Sequence, residues 1–478
     1  MTPAVTQTRR TAEAWRDLVP GARVSVVGGA RSGLAVARLL ARRGADVFLT
    51  DRDAAAQGVE AALDAARVGH EFGGHTARAL DADLVVVSPG VPTAAPVVQS
   101  ALRQQTPVVS EIEVASWYCP SPIVAVTGSN GKTTTTALLD HVLATAGRAH
   151  VTAGNIGLPF SDVVEGLDEE TVAVLEVSSF QLDHVNAFRP RVAVELNVTP
   201  DHLDRYGGDV EAYAAAKFRL FENMGAGDWL VYNADDDRVR EAAEAAAPQG
   251  LVLVPFSIER ELEVGGFVRD GQIVLSLPSA PSSEPPPVTH DNLMPSSDLA
   301  LRGRHNLYNS LASAIVARAV EIRSDVVRES LTSFEGVPHR LETVRTVGGV
   351  TFVNDSKATN VNAVWYALES FADGAGRVVL IAGGRDKGND YGPLKRLVEA
   401  KVRGVVAIGE GADKVTQELG PHTERAVGAA TLEEAIQYAQ LLAEPGDTVL
   451  LSPACSSFDM FENYEDRGDT FKRLVHAL

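Results

Sequence analysis

The sequence predicts an α/β protein built from three domains in series. Short runs of β-branched residues, such as VSVVGG, IVAVTG and VVLIAGG, recur along the 478 residues. Segments long enough for amphipathic helices separate these runs, an alternation typical of parallel sheets covered by helices on both faces. At about 100–200 residues per domain, the length also suits three domains.

We place the first domain at residues 1–121, the second at 122–337 and the third at 338–478. A segment rich in Pro and Ser, LPSAPSSEPPPVTHDNLMPSS at 277–297, interrupts the second domain. Such a composition favours a mobile surface loop over a packed element.

Composition narrows the functional classes. With 63 acidic and 43 basic residues, the formal net charge is −20, which argues against a non-specific nucleic-acid binder. Cys119 and Cys455 are too few and too far apart for a disulfide framework or a cysteine metal site. We find neither the apolar core of a signal peptide nor a run of about 18 apolar residues, and so expect a cytoplasmic protein without membrane insertion.

The first domain contains a glycine-rich turn, VVGGARSG, between a strand and a helix. The spacing from Gly28 to Gly33 resembles the dinucleotide fingerprint of Rossmann-like folds, although Ala30 replaces its second glycine. A purely structural turn and a redox NAD site are two interpretations, and a nucleotide-sugar diphosphate on the same helix N-terminus is the one we favour. The candidate substrate residues of this turn and the next strand end are Arg31, Ser32, Asp51 and Arg52.

The second domain opens with IVAVTGSNGKTTTT, which predicts a strand, a phosphate-binding loop and a helix. Gly128 and Gly131 allow a close backbone approach to phosphates, Lys132 would reach the terminal phosphates, and the hydroxyl of Thr133 would ligate Mg²⁺. Val126 stands where the strict motif has its first glycine. The alternative is a structural turn with incidental glycines. We predict a P-loop mononucleotide-binding domain.

Two further residues follow apolar strands of this domain. Glu176 ends VAVLEV, where an unpaired buried carboxylate would be costly and a metal ion would offset that cost. His202 follows VAVELNV, at the expected carboxyl edge of the sheet. A strand-end Glu exposed to water and a structural His are the alternatives.

Lys217 lies within an apolar stripe. In EAYAAAKFRLFENM this helical stripe comprises Tyr213, Ala216, Leu220, Phe221 and Met224. A lysine in the middle of a buried face is driven toward its neutral form. It either extends its amine to solvent, or stays neutral and captures carbon dioxide as a carbamate that faces a metal ion.

In the third domain, polar segments follow three predicted strands. They contain Asp355, Lys357, Thr359 and Asn360, then Arg385, Asp386 and Lys387, and finally Ser456, Ser457 and Asp459. Since α/β folds bind ligands at the carboxyl ends of strands, we predict a binding surface there.

Twelve segments, which occur in this order along nearly the whole chain, give the sequence a resemblance to the Mur ligases of peptidoglycan synthesis. They are VVGGARSG, VSPGVP, TGSNGKTT, AGNIGLP, LEVSSFQL, NVTPDHLDRYG, YAAAKFRLF, GRHNLYNSLA, GVPHRLE, NDSKATN, GGRDKG and SPACSSFD. NDSKATN and SPACSSFD resemble the D-glutamate-adding branch of that family. Ala30, Phe458 and Tyr464 depart from its pattern.

The resemblance implies a domain for the UDP-sugar, then one for ATP and Mg²⁺, then one for the amino acid. The ATP phosphates would contact Ser129, Asn130, Gly131, Lys132, Thr133, Thr134 and Thr135. The adenosine part of ATP would contact Asn306, Asn309, Arg340 and Asp355. Two Mg²⁺ ions would be held by Thr133, Glu176, His202 and a carbamylated Lys217. The muramoyl-alanine arm would contact Asn155 and Ser178, and D-glutamate Lys357, Thr359, Lys387, Ser457 and Phe458.

The implied activity is ATP-dependent amide-bond formation through an acyl phosphate, in a monomer acting on UDP-N-acetylmuramoyl-L-alanine and D-glutamate. This reaction would serve cell-wall synthesis and hence cell shape and division. Three alternative functions each leave a feature of the sequence unexplained. A folate polyglutamylating ligase would lack the first domain, and a nicotinamide-dependent dehydrogenase would leave Lys132 to Thr135 without a role. A non-enzymatic ATP-binding switch would not need the third-domain loops.

Overall fold

The computed structural model describes residues 9–278, 288–301, 303–371, 376–386 and 388–478. Within these ranges the strands form three sheets in series, each accompanied by helices, so the predicted α/β class with three successive domains is confirmed. The described residues of Met1–Leu299 and Tyr308–Phe334 form one compact unit, and those of Ala300–Leu307 and Glu335–Leu478 form another. The predicted boundaries at 121/122 and 337/338 stay predictions.

The first sheet is parallel, with the Rossmann-like strand order β3-β2-β1-β4-β5. Its strands are β1 (Arg23–Val27), β2 (Asp46–Asp51), β3 (Gly69–Phe72), β4 (Leu84–Val87) and β5 (Val108–Ser110). The helices of this region are α1 (Ala12–Leu18), α2 (Arg31–Arg42), α3 (Val59–Ala65), α4 (Pro96–Arg103) and α5 (Glu111–Ser116). Because the order reverses beside β1, the loops after β1 and β4 lie at the switch point where such sheets bind ligands.

The middle sheet has the order β14-β13-β12-β11-β10-β9-β6-β8-β7. Its parallel part is β6 (Ile123–Thr127), β7 (His150–Gly154), β8 (Val172–Glu176), β9 (Val192–Glu195), β10 (Trp229–Asn233), β11 (Val252–Ser257) and β12 (Gly265–Arg269). The helices are α6 (Lys132–Thr145), α7 (Phe160–Val163), α8 (Ser179–Leu182), α9 (Val210–Phe218), α10 (Asp237–Ala245), α11 (Arg304–Ala319) and α12 (Ser324–Ser333). The central β6 is buried along its whole length, which explains its continuous apolar sequence.

The segment predicted as a loop at 277–297 is partly a β-hairpin, and that prediction is corrected. Strand β13 (Gln272–Pro278) pairs antiparallel with β14 (Val288–Pro295). Leu293 and Met294 are buried, so β14 contributes apolar side chains to the core despite its polar composition. Residues 279–287, which hold most of the prolines and serines, lie outside the described residues.

The third sheet has the order β15-β16-β20-β17-β18-β19 and is parallel except for the β15–β16 pair. Its strands are β15 (Glu342–Val347), β16 (Val350–Asn354), β17 (Val378–Gly383), β18 (Val402–Ile408), β19 (Arg425–Ala429) and β20 (Thr448–Ala454). The helices are α13 (Val361–Glu369), α14 (Lys395–Lys401), α15 (Ala412–Leu419), α16 (Leu432–Leu442) and α17 (Tyr464–His476). Separate apolar cores pack on its two faces. Among the helices in the described ranges, none has both the length and the apolarity to cross a bilayer.

Candidate active site

The loop between β6 and α6 has the backbone geometry of a phosphate cradle. Gly128 and Gly131 adopt φ values of +150° and +87°, which side-chain-bearing residues rarely adopt. A Cβ at Gly131 would lie 2.4 Å from Oδ1 of Asn309, so a side chain here would have to displace the Asn309 amide. Helix α6 begins at Lys132, and its first N–H groups present partial positive charge to the loop.

This loop is tied to the segment that follows β9. The hydroxyl of Ser129 donates to the carbonyl of Thr199 at 2.8 Å and lies 3.1 Å from the hydroxyl of Tyr213. Asn197 accepts from the N–H of Asn130 at 2.9 Å and donates to its carbonyl at 3.1 Å. Asn197 was not predicted as a partner of the loop, and Tyr213 was predicted only as part of an apolar stripe. Asn197 lies two residues after the end of β9, and that position was the available signal.

Glu176 and Thr133 are in direct contact. The Thr133 hydroxyl donates to Oε2 of Glu176 at 2.7 Å, and the Asn155 amide donates to Oε1 at 3.0 Å. Glu176 ends β8 and is 2% exposed, which excludes the water-exposed alternative. A hydroxyl and a carboxylate oxygen side by side are the hard oxygen ligands that Mg²⁺ prefers, so these residues fit a magnesium ion.

Two lysine amines converge on one carbonyl. Lys132 Nζ donates to the carbonyls of Gly128 at 2.7 Å and Ser129 at 3.0 Å, and Lys217 Nζ donates to the same Gly128 carbonyl at 2.8 Å. The predicted burial of Lys217 is confirmed, since the residue is 1% exposed. Burial, reinforced by the nearby Lys132 charge, lowers the pKa of the Lys217 amine to about 7. Near neutral pH a substantial fraction of this amine is therefore an uncharged nucleophile.

Glu195 is a buried carboxyl outside the predicted set of site residues. It is the last residue of β9, pairs in register with Thr127 of β6, and is fully buried. Neither carboxyl oxygen has a hydrogen-bond partner among the described residues. Burial raises the pKa of Glu195 to about 8, against the opposing influence of the Lys217 charge. The side chain is therefore mostly protonated at neutral pH.

His202 precedes a short 3₁₀ turn, Leu203–Tyr206, on the segment that also holds Thr199. Its backbone has a φ of +51°, and its ring packs edge-on against Phe180 with 5.0 Å between ring centroids. Its Nε2 lies 3.7 Å from Oδ2 of Asp201. Its place in a metal ligand set stays a prediction. Among the described residues, no three His, Cys, Asp or Glu side chains group as a metal site.

A cavity of about 510 Å³ opens at the switch point of the first sheet. Its lining includes every substrate residue predicted for this domain and one residue predicted for the muramoyl arm, namely Arg31, Ser32, Asp51, Arg52 and Asn155. Asn155 also donates to Glu176, so one side chain belongs to both the cavity and the carboxylate beside the phosphate loop.

The end of β2 and the start of α2 define one wall of this cavity. Asp51 accepts hydrogen bonds from the backbone N–H groups of Gly29 and Asp53. Ala30 has an extended backbone and caps α2 without a side-chain hydrogen bond. The first N–H groups of this helix therefore border the cavity, as anion binding requires.

Among the remaining residues predicted in the first unit, Ser178 caps α8 through a capping box with Gln181. Thr134 and Thr135 are buried in α6, and the Thr135 hydroxyl donates to Oδ1 of Asn309 at 3.3 Å. Asn309 therefore adjoins the P-loop helix.

In the second unit, Asp355 follows β16 and is 2% exposed. It accepts from the hydroxyl of Ser452 at 2.7 Å and from the N–H of Leu341 at 3.2 Å. Burial raises its pKa to about 6, although the Arg340 charge opposes the shift. The Nε of Arg340 is buried and lacks a hydrogen-bond partner among the described residues. Asn306, which belongs to the same unit, is buried.

The polar loops of the third sheet follow the adjacent strands β16, β20 and β17, as predicted. A buried arginine outside the predicted set, Arg467, joins the loops after β16 and β20. It donates to both the hydroxyl and the carbonyl of Ser356, at 2.9 and 2.8 Å, and to the carbonyl of Cys455 at 3.2 Å. Arg385 and Ser456 form a β-bridge that links the loop after β17 to the loop after β20.

Of the predicted glutamate-site residues, Lys357 Nζ lies 3.4 Å from the Tyr464 hydroxyl, and Thr359 N–H donates to the Lys357 carbonyl at 2.9 Å. Ser457 is buried, whereas Phe458 is 62% exposed. Lys387 lies outside the described residues.

Three family models match the chain in succession. They are the MurD-like N-terminal domain of Mur ligases over residues 22–110, the Mur ligase middle domain over 126–317, and the glutamate ligase domain of Mur ligases over 339–455. Together they span all three sheets.

Curated relatives match over nearly the full length. The UDP-N-acetylmuramoylalanine–D-glutamate ligase of Salinibacter ruber is 60% identical over 468 residues, covering 97% of this chain and 99% of that protein. The protein of the same name from Chloroherpeton thalassium is 47% identical, covering 96% of this chain and 99% of its own.

Solved structures share the fold at lower identity. A pseudomurein peptide ligase type C from Methanothermus fervidus is 20% identical, with a TM-score of 0.57 and coverage of 96% of this chain and 100% of that one. The UDP-N-acetylmuramate-alanine ligase of Thermotoga maritima is 18% identical, with a TM-score of 0.57 and coverage of 95% and 99%. At these identities the likeness is one of fold.

Proposed function

The chain belongs to the Mur ligase family, and from that premise we propose that it joins D-glutamate to UDP-N-acetylmuramoyl-L-alanine, converting ATP to ADP and phosphate in peptidoglycan precursor synthesis. The observation that carries the proposal is the geometry at the start of α6, where the Lys132 amine lies on the phosphate loop and the neighbouring Thr133 hydroxyl donates to Glu176. It occurs in a chain that is 60% identical to a relative named for this activity.

Amide formation from a carboxylate needs activation, because oxide is not a viable leaving group. Transfer of the γ-phosphoryl group of ATP to the carboxylate of the L-alanyl end gives an acyl phosphate. The uncharged amine of D-glutamate then attacks the carbonyl carbon, the C–N bond forms as the nitrogen releases a proton to solvent, and phosphate leaves with the electron pair of the C–O bond. The protein has to position three anionic reactants and neutralise their charge.

The P-loop residues Ser129 to Thr135 are our proposed phosphate ligands. Lys132 lies with its amine on the loop carbonyls, and we propose that it turns to the β and γ oxygens when ATP binds. Mur ligases use ATP and Mg²⁺, and bound Mg²⁺ stabilises charge on phosphoryl oxygens. Thr133 and Glu176 would hold it, and their 2.7 Å contact supports this assignment.

We propose that Lys217 is carbamylated and, with His202, completes a set for two Mg²⁺ ions. The uncharged amine would attack carbon dioxide, forming an N–C bond and releasing a proton to solvent. A pKa of about 7 makes that uncharged form available near neutral pH. The product carries a negative charge and would suit a cation beside the P-loop.

The cavity of the first sheet is our proposed site for the UDP part. Arg31 and Arg52 supply positive charge there, and the N-terminus of α2 supplies N–H donors. Asn155 and Ser178 would contact the muramoyl-alanine arm, with Asn155 leading toward Glu176.

In the second unit, Lys357, Thr359, Lys387, Ser457 and Phe458 stay the proposed residues for D-glutamate. Asn306, Asn309, Arg340 and Asp355 stay the residues proposed for adenosine. We further propose a cytoplasmic monomer, which size-exclusion chromatography with light scattering would test.

Phosphate release tests the activity. The purified chain would be incubated with ATP, Mg²⁺ and UDP-N-acetylmuramoyl-L-alanine, with D-glutamate, with L-glutamate, or with neither. Release that depends on D-glutamate supports the ligase. Slow release independent of both substrates indicates an ATP-binding switch, and an absorbance change with NAD(P)H indicates a dehydrogenase.

A further inference from the structure

Arg205 joins two loops that belong to different parts of the proposed site. Its guanidinium donates to the carbonyls of Pro89 and Gly90, each at 2.9 Å. Both acceptors follow β4 and line the cavity of the first sheet. Arg205 itself lies in the 3₁₀ turn that begins directly after His202.

The same guanidinium also packs against the surroundings of His202. Its central carbon lies 4.0 Å from the ring centroid of Phe180, and that ring contacts the His202 ring edge-on. Phe180 belongs to α8, which follows β8 and Glu176 along the chain. Phe180 therefore contacts both Arg205 and His202.

The backbone conformation of His202 depends on the residues packed around it. A residue other than glycine with a φ of +51° is strained and keeps that conformation only when its surroundings hold it. The neighbouring Tyr206 anchors the far end of the turn, since its hydroxyl donates to Oδ2 of Asp183 at 3.0 Å. Arg205 anchors the turn to the cavity loop.

Arginine suits this linkage better than lysine does. A planar guanidinium directs separate N–H groups at two neighbouring carbonyls, which fixes its orientation as well as its position. A lysine amine is a point charge on a flexible stem and lacks the flat face that stacks on Phe180. Displacement of the Pro89–Gly90 backbone therefore moves the guanidinium, and with it the contact to Phe180.

We propose that Arg205 is a positioning residue that couples occupancy of the first-sheet cavity to the placement of His202. The inference rests on the proposed function and adds a link between two of its binding events. Binding of the UDP-linked substrate against Pro89 and Gly90 would hold the turn in the arrangement that favours the magnesium nucleotide. By thermodynamic reciprocity, the magnesium nucleotide would strengthen substrate binding by the same factor.

Calorimetric titration of the full chain tests this coupling without turnover. The dissociation constant of UDP-N-acetylmuramoyl-L-alanine would be measured in the absence and presence of saturating Mg²⁺ and ADP, and that of Mg²⁺–ADP with and without the UDP-linked substrate. For the parent chain we expect each ligand to tighten the other by at least about fivefold. The two factors should agree.

The decisive variant is Arg205→Met, which keeps an apolar stem against Phe180 and removes both donors. We expect each ligand alone to bind within about threefold of the parent, while the coupling factor falls below about twofold. Arg205→Lys keeps the charge and is expected to restore only part of the coupling. It also provides the test if Arg205→Met does not fold.

Arg238→Met is the matched control. This arginine forms an exposed ion pair with Glu211 at 2.7 Å rather than a hydrogen bond to either loop, and its loss should leave the coupling at the parent value. A parent chain without coupling, or an Arg205→Met chain with the parent's coupling, overturns the inference. If the parent does not bind the UDP-linked substrate at all, the proposed function fails and the coupling fails with it.

Discussion

Replacement of Glu195 by glutamine should stabilise the protein at neutral pH and not at acidic pH. The folded chain holds this carboxyl in a buried position, where both oxygens lack a hydrogen-bond partner among the described residues. Its pKa rises from 4.5 in an exposed state to about 8 in the fold. Glutamine has nearly the same size and cannot ionise, so the substitution isolates the effect of the charge.

The sign follows from the two pKa values. Above pH 4.5 the unfolded chain releases the Glu195 proton, whereas the folded chain retains it up to about pH 8. The stabilisation that this carboxyl contributes is therefore complete below its unfolded pKa and is lost as the pH rises through its folded pKa. Each pH unit in that window lowers the free energy of unfolding by about 1.4 kcal/mol. Between pH 4.5 and neutrality the loss amounts to about 3 kcal/mol.

Urea unfolding of the parent and Glu195→Gln chains at about pH 5 and about pH 7.5 measures this difference. Tryptophan fluorescence is a suitable probe, because Trp15, Trp117 and Trp229 belong to the unit that contains Glu195. We expect the variant to gain about 4 kcal/mol relative to the parent at the higher pH and less than about 1 kcal/mol at the lower.

Glu211→Gln is the control, since the same substitution there removes a carboxylate that is 69% exposed. It should leave the pH dependence of the parent unchanged. A Glu195→Gln gain that is equal at both pH values, or larger at acidic pH, would refute the reasoning, because the carboxyl would then not hold its proton in the fold.

Three further outcomes are expected. Lys217→Ala should lose most D-glutamate-dependent phosphate release, and added acetate should restore part of it; full activity without acetate would contradict the carbamate. Glu176→Gln keeps the size of the side chain but removes a charge beside Thr133. Mg²⁺ titrations of activity should therefore show a half-maximal Mg²⁺ concentration at least about tenfold higher than in the parent. An unchanged Mg²⁺ requirement would argue against a ligand role for Glu176. Gly131→Ala places a Cβ 2.4 Å from Oδ1 of Asn309, at a residue whose φ is +87°. Calorimetry should therefore show that the variant binds ADP about tenfold more weakly than the parent does. An affinity equal to the parent's would show that the loop tolerates a side chain.

Local signals in the chain were sufficient for much of this architecture. Buried parallel strands have continuous apolar runs, so β6 and β8 were visible as VAV-type segments, and Glu176 was recognisable as a carboxylate at a strand end. Lys217 stood out because a helix repeats its buried face every three to four residues. These features depend on residues close in sequence, and the structure agrees with them.

Residues that act across long sequence separations were not recognisable in advance. Glu195 belongs to an apolar strand, and nothing in VAVELNV shows that its carboxyl would lack a partner. Arg467 reaches Ser356 across 111 positions, and Arg205 reaches Pro89 across 116. Burial and hydrogen bonding depend on which strands and loops become neighbours, and that neighbourhood exists once the chain has folded. Periodicity and motif spacing thus determine the elements and the chemistry placed on them, whereas tertiary packing sets the pKa values and the contacts between loops.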